Sequence, residues 1–402
     1  MSVLKGKRIL VGISGGIAVY KVCDLVRKLV LSGAEVNVAM TKNACRFVSP
    51  LTFQTLSNNK VSVDLFDPDR EAEIGHIKLA DTCDVMVIAP ATSTIIGKAV
   101  SGIADNLITA VLLATNAPVI FCPSMNVNMF NNPIVQSNIE KLSGYGYRIV
   151  EPSEGSLACG WEGKGRLPDT QIIIQEIEKA LSGHDLTGEK LLVTAGPTRE
   201  YIDPVRFISN PSSGKMGIAI ARAAWKRGAD VILVTGITSE ELPHGVNCIE
   251  INSAREMYGK VMEHYNWSTM VIKSAAVGDY SPATYSDHKI SKNNDEITLN
   301  LNKTTDILSE LGKNKDGRIL VGFAAETNDI EDKAKKKLVE KNLDMIVVND
   351  VTKQGAGFGV DTNSAVILNR FCEKEYYETM PKEDLANKIL DSIITLKPRI
   401  SV

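Results

Sequence analysis

The first residues whose types could do chemistry form a turn rich in glycine and serine near the amino terminus, Gly12-Ile-Ser-Gly-Gly-Ile-Ala18. The turn follows an apolar run that is typical of a β-strand and precedes a helical pattern that starts at Ile17. Backbone N–H groups at the start of a helix lack intrahelical acceptors, and the helix dipole favours negative charge beside them. The turn therefore predicts a phosphate-binding loop, with a structural glycine turn as the alternative.

The residues around this loop favour a mononucleotide over NAD. The glycines do not follow the GxGxxG spacing of a dinucleotide-binding loop. The second predicted strand ends at Ala39-Met40-Thr41, without the carboxylate that would bind an adenosine ribose. A ligand with one phosphate and no adenosine fits this pattern.

Three further polar segments follow in the first half of the chain. They are Gly75-His76-Ile77, Ala89-Pro-Ala-Thr-Ser-Thr94 with Ser101-Gly-Ile-Ala-Asp-Asn-Leu107, and Pro123-Ser-Met-Asn-Val-Asn-Met-Phe130. Together with residues 12–21 they resemble the flavin-containing cysteine decarboxylase family, which has PASANT-like and PxMNxxMW-like motifs. Ser93 stands where that family usually has alanine, and Phe130 where it has tryptophan.

This resemblance implies a flavodoxin-like domain that binds flavin mononucleotide (FMN) between the loops at its strand ends. By matching motif positions, His76 is the base and Asn126 holds the substrate carboxylate. An imidazole titrates near neutral pH, which suits a base, although a lone histidine beside an apolar helix is often structural. The cofactor-binding residues that the resemblance implies are Gly12, Ser14, Gly15, Thr41, Ser93, Thr94, Ala104 and Asp105.

A cysteine decides which product the resemblance implies. Oxidation of the substrate thiol by flavin makes the neighbouring carbon electron-poor, so that CO2 can leave and an enethiol remains. In the pantothenate branch of the family a flap cysteine then donates a proton, which gives a net non-redox reaction. Cys159, in the glycine-rich segment 154–165, matches that cysteine, with an inert loop thiol as the alternative. A thiol with an ordinary pKa near ~8.5 is mostly protonated at neutral pH and can donate.

The second half of the chain has an anion-binding pattern of its own. Leu192-Val-Thr-Ala-Gly-Pro-Thr-Arg-Glu200 and Asp203-Pro-Val-Arg-Phe-Ile-Ser-Asn-Pro-Ser-Ser-Gly-Lys-Met-Gly217 form a long connection from a strand to a helix. Loops of that length are usually functional, although a structural loop is the alternative. A P-loop ATPase is disfavoured, because no glycine stands five residues before Gly214 as the Walker A spacing requires.

Polar motifs continue towards the carboxyl terminus. They are Lys273-Ser-Ala-Ala-Val-Gly-Asp-Tyr280, His288-Lys-Ile-Ser-Lys292, Lys303-Thr-Thr-Asp-Ile-Leu308, Val321-Gly-Phe-Ala-Ala-Glu-Thr327, the lysine-rich helix 333–341 and Val348-Asn-Asp350. This series resembles phosphopantothenate–cysteine ligase over nearly the whole of residues 186–395. Departures from the family pattern are Pro211 after Asn210, Gly278 for alanine and Thr305 for proline.

The ligase resemblance implies CTP as the activating nucleotide, Mg2+ bound with its triphosphate, and a dimer in which each subunit completes the other's site. It implies that Asn210 holds an acyl cytidylate and that Lys289 both binds CTP and stabilises charge during activation. A lysine-rich helix is usually a solvated face, and only the resemblance selects two of its lysines. The expected CTP-binding residues are Ala275, Asp279, Lys289, Thr305, Asp306, Ile307, Leu308, Phe323, Lys337 and Lys341.

The strands and helices that must position these segments follow the same strand-helix-strand order in both halves of the chain. A strand at 8–11, a helix at 17–31 and a strand at 36–40 are matched by a strand at 190–194, a helix at 214–226 and a strand at 231–234. Further strands are predicted at 84–89, 118–122, 270–274, 319–323, 344–348 and 364–368. We expect an α/β protein of two tandem doubly wound, Rossmann-like domains with mainly parallel sheets, residues 1–185 and 186–402.

Composition narrows the classes of ligand and location. The chain has 402 residues, enough for two domains, and its net charge of -3 gives no reason to expect nucleic acid or an acidic membrane. No apolar run is long enough to span a bilayer, and the amino terminus reads as a strand, so we expect a cytoplasmic protein. The cysteines are odd in number and form no CxxC pair, which indicates neither disulfides nor a zinc site.

The two resemblances together predict a bifunctional enzyme of coenzyme A biosynthesis that acts on phosphopantothenate, cysteine and CTP, and then on phosphopantothenoylcysteine. They also imply a homo-oligomer, with trimeric contacts around the flavin domain and dimeric contacts around the ligase domain that together would build a dodecamer. Two alternatives stay open from the sequence. One is a decarboxylase-like flavoprotein that regulates a partner without catalysis, and the other is an oxidative peptidyl-cysteine decarboxylase with an unrelated tail.

Overall fold

The computed structural model describes residues 3–65, 75–156, 160–291, 298–326, 330–350, 357 and 359–400. The chain forms two compact units, Met1–Gly183 and His184–Val402, and each has its own sheet and cores. The division lies two residues before the predicted boundary at 185. In the described part of the chain, no helix is long and apolar enough to cross a membrane.

The amino-terminal unit is built on a five-stranded parallel sheet in the order β2-β1-β3-β4-β5, with a separate antiparallel hairpin, β6-β7. The strands are β1 (Arg8–Ile13), β2 (Glu35–Met40), β3 (Val85–Ala91), β4 (Val119–Pro123), β5 (Arg148–Ile149), β6 (Ser153–Ser156) and β7 (Glu162–Arg166). The helices are α1 (Val19–Leu31), α2 (Pro50–Ser57), α3 (Gly75–Thr82), α4 (Ser93–Val100), α5 (Leu107–Ala114), α6 (Val127–Phe130), α7 (Pro133–Gly144) and α8 (Thr170–Leu181).

Helices cover both faces of this sheet, which is why its central strands are continuously apolar. All seven residues of β3 are buried. One core packs α1 and α8 against the sheet, and the other packs α4 and α5 against the opposite face. Helix α1 begins at Val19, two residues after the predicted start, because residues 15–18 form a turn.

The carboxy-terminal unit is built on an eight-stranded sheet in the order β12-β11-β8-β13-β16-β17-β18-β19, with two small hairpins, β9-β10 and β14-β15. The strands are β8 (Lys190–Ala195), β9 (Arg199–Tyr201), β10 (Phe207–Ser209), β11 (Asp230–Gly236), β12 (Asn247–Ile251), β13 (Met270–Lys273), β14 (Tyr280–Pro282), β15 (Leu301–Lys303), β16 (Ile319–Glu326), β17 (Met345–Asp350), β18 (Thr362–Asn369) and β19 (Lys374–Pro381). The helices are α9 (Lys215–Lys226), α10 (Ala254–Tyr265), α11 (Ile307–Lys313), α12 (Ile330–Glu340) and α13 (Lys382–Ile400).

The sheet of this unit is parallel from β12 to β17 and antiparallel at β18 and β19. The predicted strand at 364–368 lies within β18, whereas β19 is an addition that the sequence pattern did not indicate. All of its residues are exposed or only half-buried, so its apolar signal is weak. The expected fold class, two doubly wound α/β units with mainly parallel sheets, is confirmed.

Strand order places a crevice in each unit. The chain builds outwards from β1 to β2 and then resumes on the other side with β3, and in the second unit β8 and β13 have the same relation. The loops that leave the two strands at such a switch point diverge to opposite faces of the sheet, so a cleft opens between them. Both candidate sites lie at these positions.

Candidate active sites

The amino-terminal unit contains a cavity of about 1100 Å3 at the carboxyl ends of β1 to β4. Loops 14–18, 41–43, 92–95 and 124–126 line it, together with residues of the β6-β7 hairpin. A pocket for one small ligand typically has roughly 300–1,000 Å3, so this cavity has room for a flavin nucleotide and part of a second molecule.

The loop after β1 is shaped for a phosphate. The backbone N–H groups of Gly15, Gly16 and Ile17 make no hydrogen bond to any described residue, and they precede the amino-terminal end of α1. A Cβ on Gly15 would lie 2.5 Å from Asn43 Cβ, so only glycine allows the two loops to pack this closely. Ser14 Oγ donates to Pro90 O at 2.6 Å and ties the loop to the end of β3. These donors and this close packing fit the phosphate of FMN.

Asn126, in the loop after β4, also lines the cavity. Its carboxamide oxygen caps α6 by accepting from Asn128 N at 2.9 Å, which fixes the side chain at the cavity edge. The hairpin packs backbone to backbone against this segment, because Met125 N donates to Gly165 O at 2.9 Å. A Cβ on Gly165 would lie 2.3 Å from Met125 O, so this contact requires glycine.

The structure brings together most of the residues predicted for this site. Those that line the cavity are Ser14, Gly15, Thr41, Ser93, Thr94, Asp105 and Asn126. Gly12 lies inside β1, where a Cβ would meet Ile108, and Ala104 lies on an exposed loop; neither lines the cavity. His76 lies in the first turn of α3 outside the cavity lining, and its buried Nδ1 has no partner among the described residues. Cys159 lies outside the described residues.

The carboxy-terminal unit contains a cavity of about 730 Å3 at the switch point between β8 and β13. Helix α9 lies close to the sheet and forms one wall of the cavity. A Cβ on Gly217 would lie 2.6 Å from both Ala195 Cβ and Ser274 Oγ, so this close approach requires glycine. Asn210 Nδ2 donates to Val277 O at 3.2 Å and joins the loop before α9 to the loop after β13.

All but one of the residues predicted to bind CTP or the acyl cytidylate line this cavity. They are Asn210, Ala275, Asp279, Thr305, Asp306, Ile307, Leu308, Phe323, Lys337 and Lys341. Lys337 and Lys341 are four residues apart and so share one face, whereas Lys333, Lys335 and Lys336 are exposed outside the lining. Asp306 caps α11 through Ser309 N at 3.1 Å, and its other oxygen lies 2.8 Å from Lys341 Nζ.

Lys289 is the exception, since it lies on an exposed loop outside the cavity lining of its own unit. Asp203 holds this loop: its buried carboxylate accepts from Ile290 N at 3.2 Å, and also from Val205 N and Arg206 N. Burial opposes ionisation of Asp203, but these backbone donors keep the pKa of its carboxyl below the ordinary value. The loop that carries Lys289 is therefore attached to the strand-to-helix connection through this carboxylate. Arg206 Nη1, which donates to Ile290 O at 3.2 Å, and Ser286 N, which donates to Ile202 O at 3.0 Å, add to the attachment.

Sequence reasoning did not assign a role to several cavity residues, above all Lys273. This lysine ends β13, and burial and the neighbouring Lys341 ammonium lower its pKa to about 8. Its position at the carboxyl end of an apolar strand is a signal that could have identified it. The other lysines and asparagines of the lining that had no assigned role are Lys215, Lys303, Lys382, Asn349 and Asn363.

Two of these lysines maintain the shape of the cavity. Lys215 Nζ donates to Asp361 Oδ1 at 2.5 Å and to Gly359 O at 3.1 Å. Lys382 Nζ donates to Gly357 O at 3.2 Å. Lys215 therefore ties the chain before β18 to the start of α9, and Lys382 ties it to the start of α13.

No group of three or more histidine, cysteine, aspartate or glutamate side chains in the described ranges could hold a metal ion. The carboxylates of the second cavity are Asp279 and Asp306, among six lysines. This donor set fits Mg2+ only as an ion that a phosphate ligand helps to coordinate.

Comparison with known proteins identifies the family. Residues 2–182 match the family model described as Flavoprotein, and residues 186–396 match the DNA/pantothenate metabolism flavoprotein C-terminal domain. The chain is 50% identical over 397 residues to the coenzyme A biosynthesis bifunctional protein CoaBC of Bacillus subtilis (strain 168), covering 98% of each chain. The chain belongs to the family of coenzyme A biosynthesis bifunctional proteins.

A second full-length relative and one solved domain of this family are also similar to the chain. CoaBC of Vibrio vulnificus (strain YJ016) is 44% identical over 399 residues, which cover 98% of this chain and 99% of that protein. A crystal structure of a CoaBC C-terminal domain is 42% identical, with a TM-score of 0.47, and covers 53% of this chain and 98% of that chain. The family assignment rests on the full-length relatives.

The substitution Asp203→Asn tests whether the Asp203 carboxylate holds the loop that carries Lys289. The amide nitrogen cannot accept from Ile290 N or pair with Arg206, so we expect the backbone amides of 286–291 to exchange with solvent at least roughly tenfold faster. Hydrogen exchange followed by mass spectrometry measures this rate. Asp287→Asn, an exposed position in the same loop, is the matched control. Unchanged exchange in Asp203→Asn would refute the anchoring role.

The charge of Lys273 should make anion binding depend on pH. Below pH 8 its ammonium attracts a phosphate, and that attraction is lost as the pH rises through the pKa of about 8. We expect calorimetry to find that inorganic pyrophosphate binds wild type roughly tenfold more tightly than Lys273→Met at pH 7, and equally at pH 9.5. Lys313→Met, outside the cavity, is the control. A wild-type to variant ratio that does not change with pH would contradict this role.

Proposed function

We propose that this chain catalyses two consecutive steps of coenzyme A biosynthesis. The carboxy-terminal unit joins phosphopantothenate to cysteine with CTP, and the amino-terminal unit decarboxylates the resulting phosphopantothenoylcysteine to phosphopantetheine with FMN. The observation that carries the proposal is the full-length match to bifunctional relatives, in a chain with one cavity at each switch point. The regulatory and single-activity alternatives account for only one of the cavities.

The charges of the second cavity support the ligase step. The phosphopantothenate carboxylate attacks the α-phosphorus of CTP, pyrophosphate leaves, and the cysteine amine then displaces CMP to form the amide. Six lysines against two carboxylates give the lining a net positive charge, which favours a triphosphate and the charge that develops on the leaving pyrophosphate. Mg2+ would arrive with the triphosphate and share Asp279 or Asp306 as a ligand.

Asn210 and Lys289 complete this proposal in different ways. Asn210, already aligned by its bond to Val277 O, would donate to the acyl cytidylate. Lys289 lies outside the cavity of its own unit, so we propose that it acts in the site of a second copy of the chain. A dimer of this kind agrees with the expected homo-oligomer; its size and the preference for CTP over ATP stay predictions, as does the cytoplasmic location.

The first cavity supports the decarboxylation. Bound FMN would supply a two-electron oxidation of the substrate thiol and return both electrons to the product. Asn126 would hold the substrate carboxylate at the cavity edge until CO2 leaves. His76, with its buried Nδ1 unpartnered among the described residues, would accept a proton at the thiol end, and Cys159 would protonate the carbon that loses CO2.

The test is to incubate the yellow, FMN-loaded protein with phosphopantothenate, cysteine, Mg2+ and either CTP or ATP. We expect pyrophosphate first and CO2 with phosphopantetheine afterwards, and only with CTP at full rate. If a folded, flavin-loaded sample forms neither product, the enzymatic proposal is wrong and the regulatory alternative is favoured.

The substitution His76→Asn tests whether decarboxylation belongs to the amino-terminal unit and ligation to the carboxy-terminal unit. An amide cannot take up a proton as imidazole does, so CO2 release from phosphopantothenoylcysteine should fall by at least roughly 100-fold. Pyrophosphate release by the other unit should stay within about twofold of wild type. Loss of both activities in a variant that retains FMN would show that the two reactions do not divide between the units as proposed.

A further inference from the structure

Two cations line the amino-terminal cavity without a role in the chemistry described above. Lys21 lies on α1, and Arg166 is the last residue of β7. Both line this one cavity although they are far apart in sequence. Burial and then the charge of Arg166 lower the pKa of Lys21. Like charges that share a pocket disfavour each other until an anion is bound between them.

The other cations of this cavity are neutralised, whereas these two are not. Lys42 Nζ lies 2.9 Å from Asp64 Oδ1, and Lys98 Nζ lies 2.5 Å from Asp105 Oδ2. Within the described part of the chain, the side chains of Lys21 and Arg166 form no ion pair and no hydrogen bond. Asp169 lies near enough to raise the Lys21 pKa, but its carboxylate caps α8 by accepting from Gln171 N at 2.8 Å.

The guanidinium of Arg166 packs against Gly155 of the same hairpin. A Cβ on Gly155 would lie 2.7 Å from Arg166 Nη1, so the absence of a side chain there makes room for the guanidinium. Gly155 also has φ of 137°, in the region that favours glycine. The guanidinium therefore lies along the hairpin strand that also contributes Ser156 to the cavity.

We propose that Lys21 and Arg166 form a receptor for the phosphate monoester of the decarboxylase substrate. The inference rests on the proposed decarboxylation and adds the residues that select a phosphorylated substrate. The flavin phosphate has its own donors in the loop 14–18, and the substrate carboxylate has Asn126. A planar guanidinium binds phosphate through two parallel hydrogen bonds, and the ammonium adds a second charge for the dianion.

The experiment compares two substrates on the FMN-loaded full-length protein. Wild type should decarboxylate phosphopantothenoylcysteine with a much lower KM than pantothenoylcysteine, which lacks the phosphate. Arg166→Met and Lys21→Met should each raise the KM for the phosphorylated substrate roughly 10- to 100-fold, as expected for lost charge-assisted hydrogen bonds. The kinetic constants for the unphosphorylated substrate, and kcat for both, should change less than about threefold.

Lys164→Met is the matched control, because Lys164 lies on the same strand, outside the cavity lining, and pairs with Glu151 at 3.1 Å. FMN and riboflavin affinities of each variant separate the two possible phosphates. Weaker FMN binding with unchanged riboflavin binding would assign the cations to the cofactor and overturn the inference. An equal loss for both substrates would also overturn it.

Equilibrium binding keeps the test independent of turnover. Calorimetry with phosphopantetheine and pantetheine should give a phosphate-dependent preference in wild type that Arg166→Met and Lys21→Met abolish. If that preference is found in a protein that releases no CO2, the receptor stands and the proposed decarboxylation fails. Equal affinities for the two compounds in wild type refute the receptor.

Discussion

Parallel pairing of the central strands is the constraint on which both sites depend. Parallel strands require a crossover connection, usually a helix, back to the starting edge, so every carboxyl end lies at the same edge of the sheet. Reversal of the strand order at β1/β3 and at β8/β13 then opens a crevice at that edge. Segments that are separated by many residues in each half of the sequence line one cavity for this reason.

Close backbone contacts give the cavities their shapes. Gly15, Gly165 and Gly217 each lie where a Cβ would be less than 3 Å from a neighbouring loop or strand. These contacts bring the phosphate loop, the hairpin and α9 within reach of a ligand. An alanine at any of them would need a backbone shift, since the atoms it meets include main-chain atoms.

Charge is distributed differently in the two cavities. In the carboxy-terminal unit, lysines outnumber carboxylates, and two of them, Lys215 and Lys382, maintain the shape of the cavity through the chain before β18. In the amino-terminal unit, two of the four cations that line the cavity have carboxylate partners, so the pair Lys21 and Arg166 stands out as uncompensated charge. This difference agrees with the proposed ligands, a triphosphate in one cavity and a phosphate monoester in the other.

The sequence by itself determined the α/β class, the two repeats of the strand-helix-strand plan and the loops that carry polar motifs, because apolar periodicity and glycine-rich turns are local signals. Motif resemblance selected Asn126, Asn210 and the pair Lys337 and Lys341. Tertiary structure alone decided that β18 and β19 extend the second sheet antiparallel, that Lys273 and Lys341 line one cavity, and that Lys21 and Arg166 line the other. Such pairings depend on strand order and on the packing of distant segments, and neither produces a local periodic pattern in the sequence.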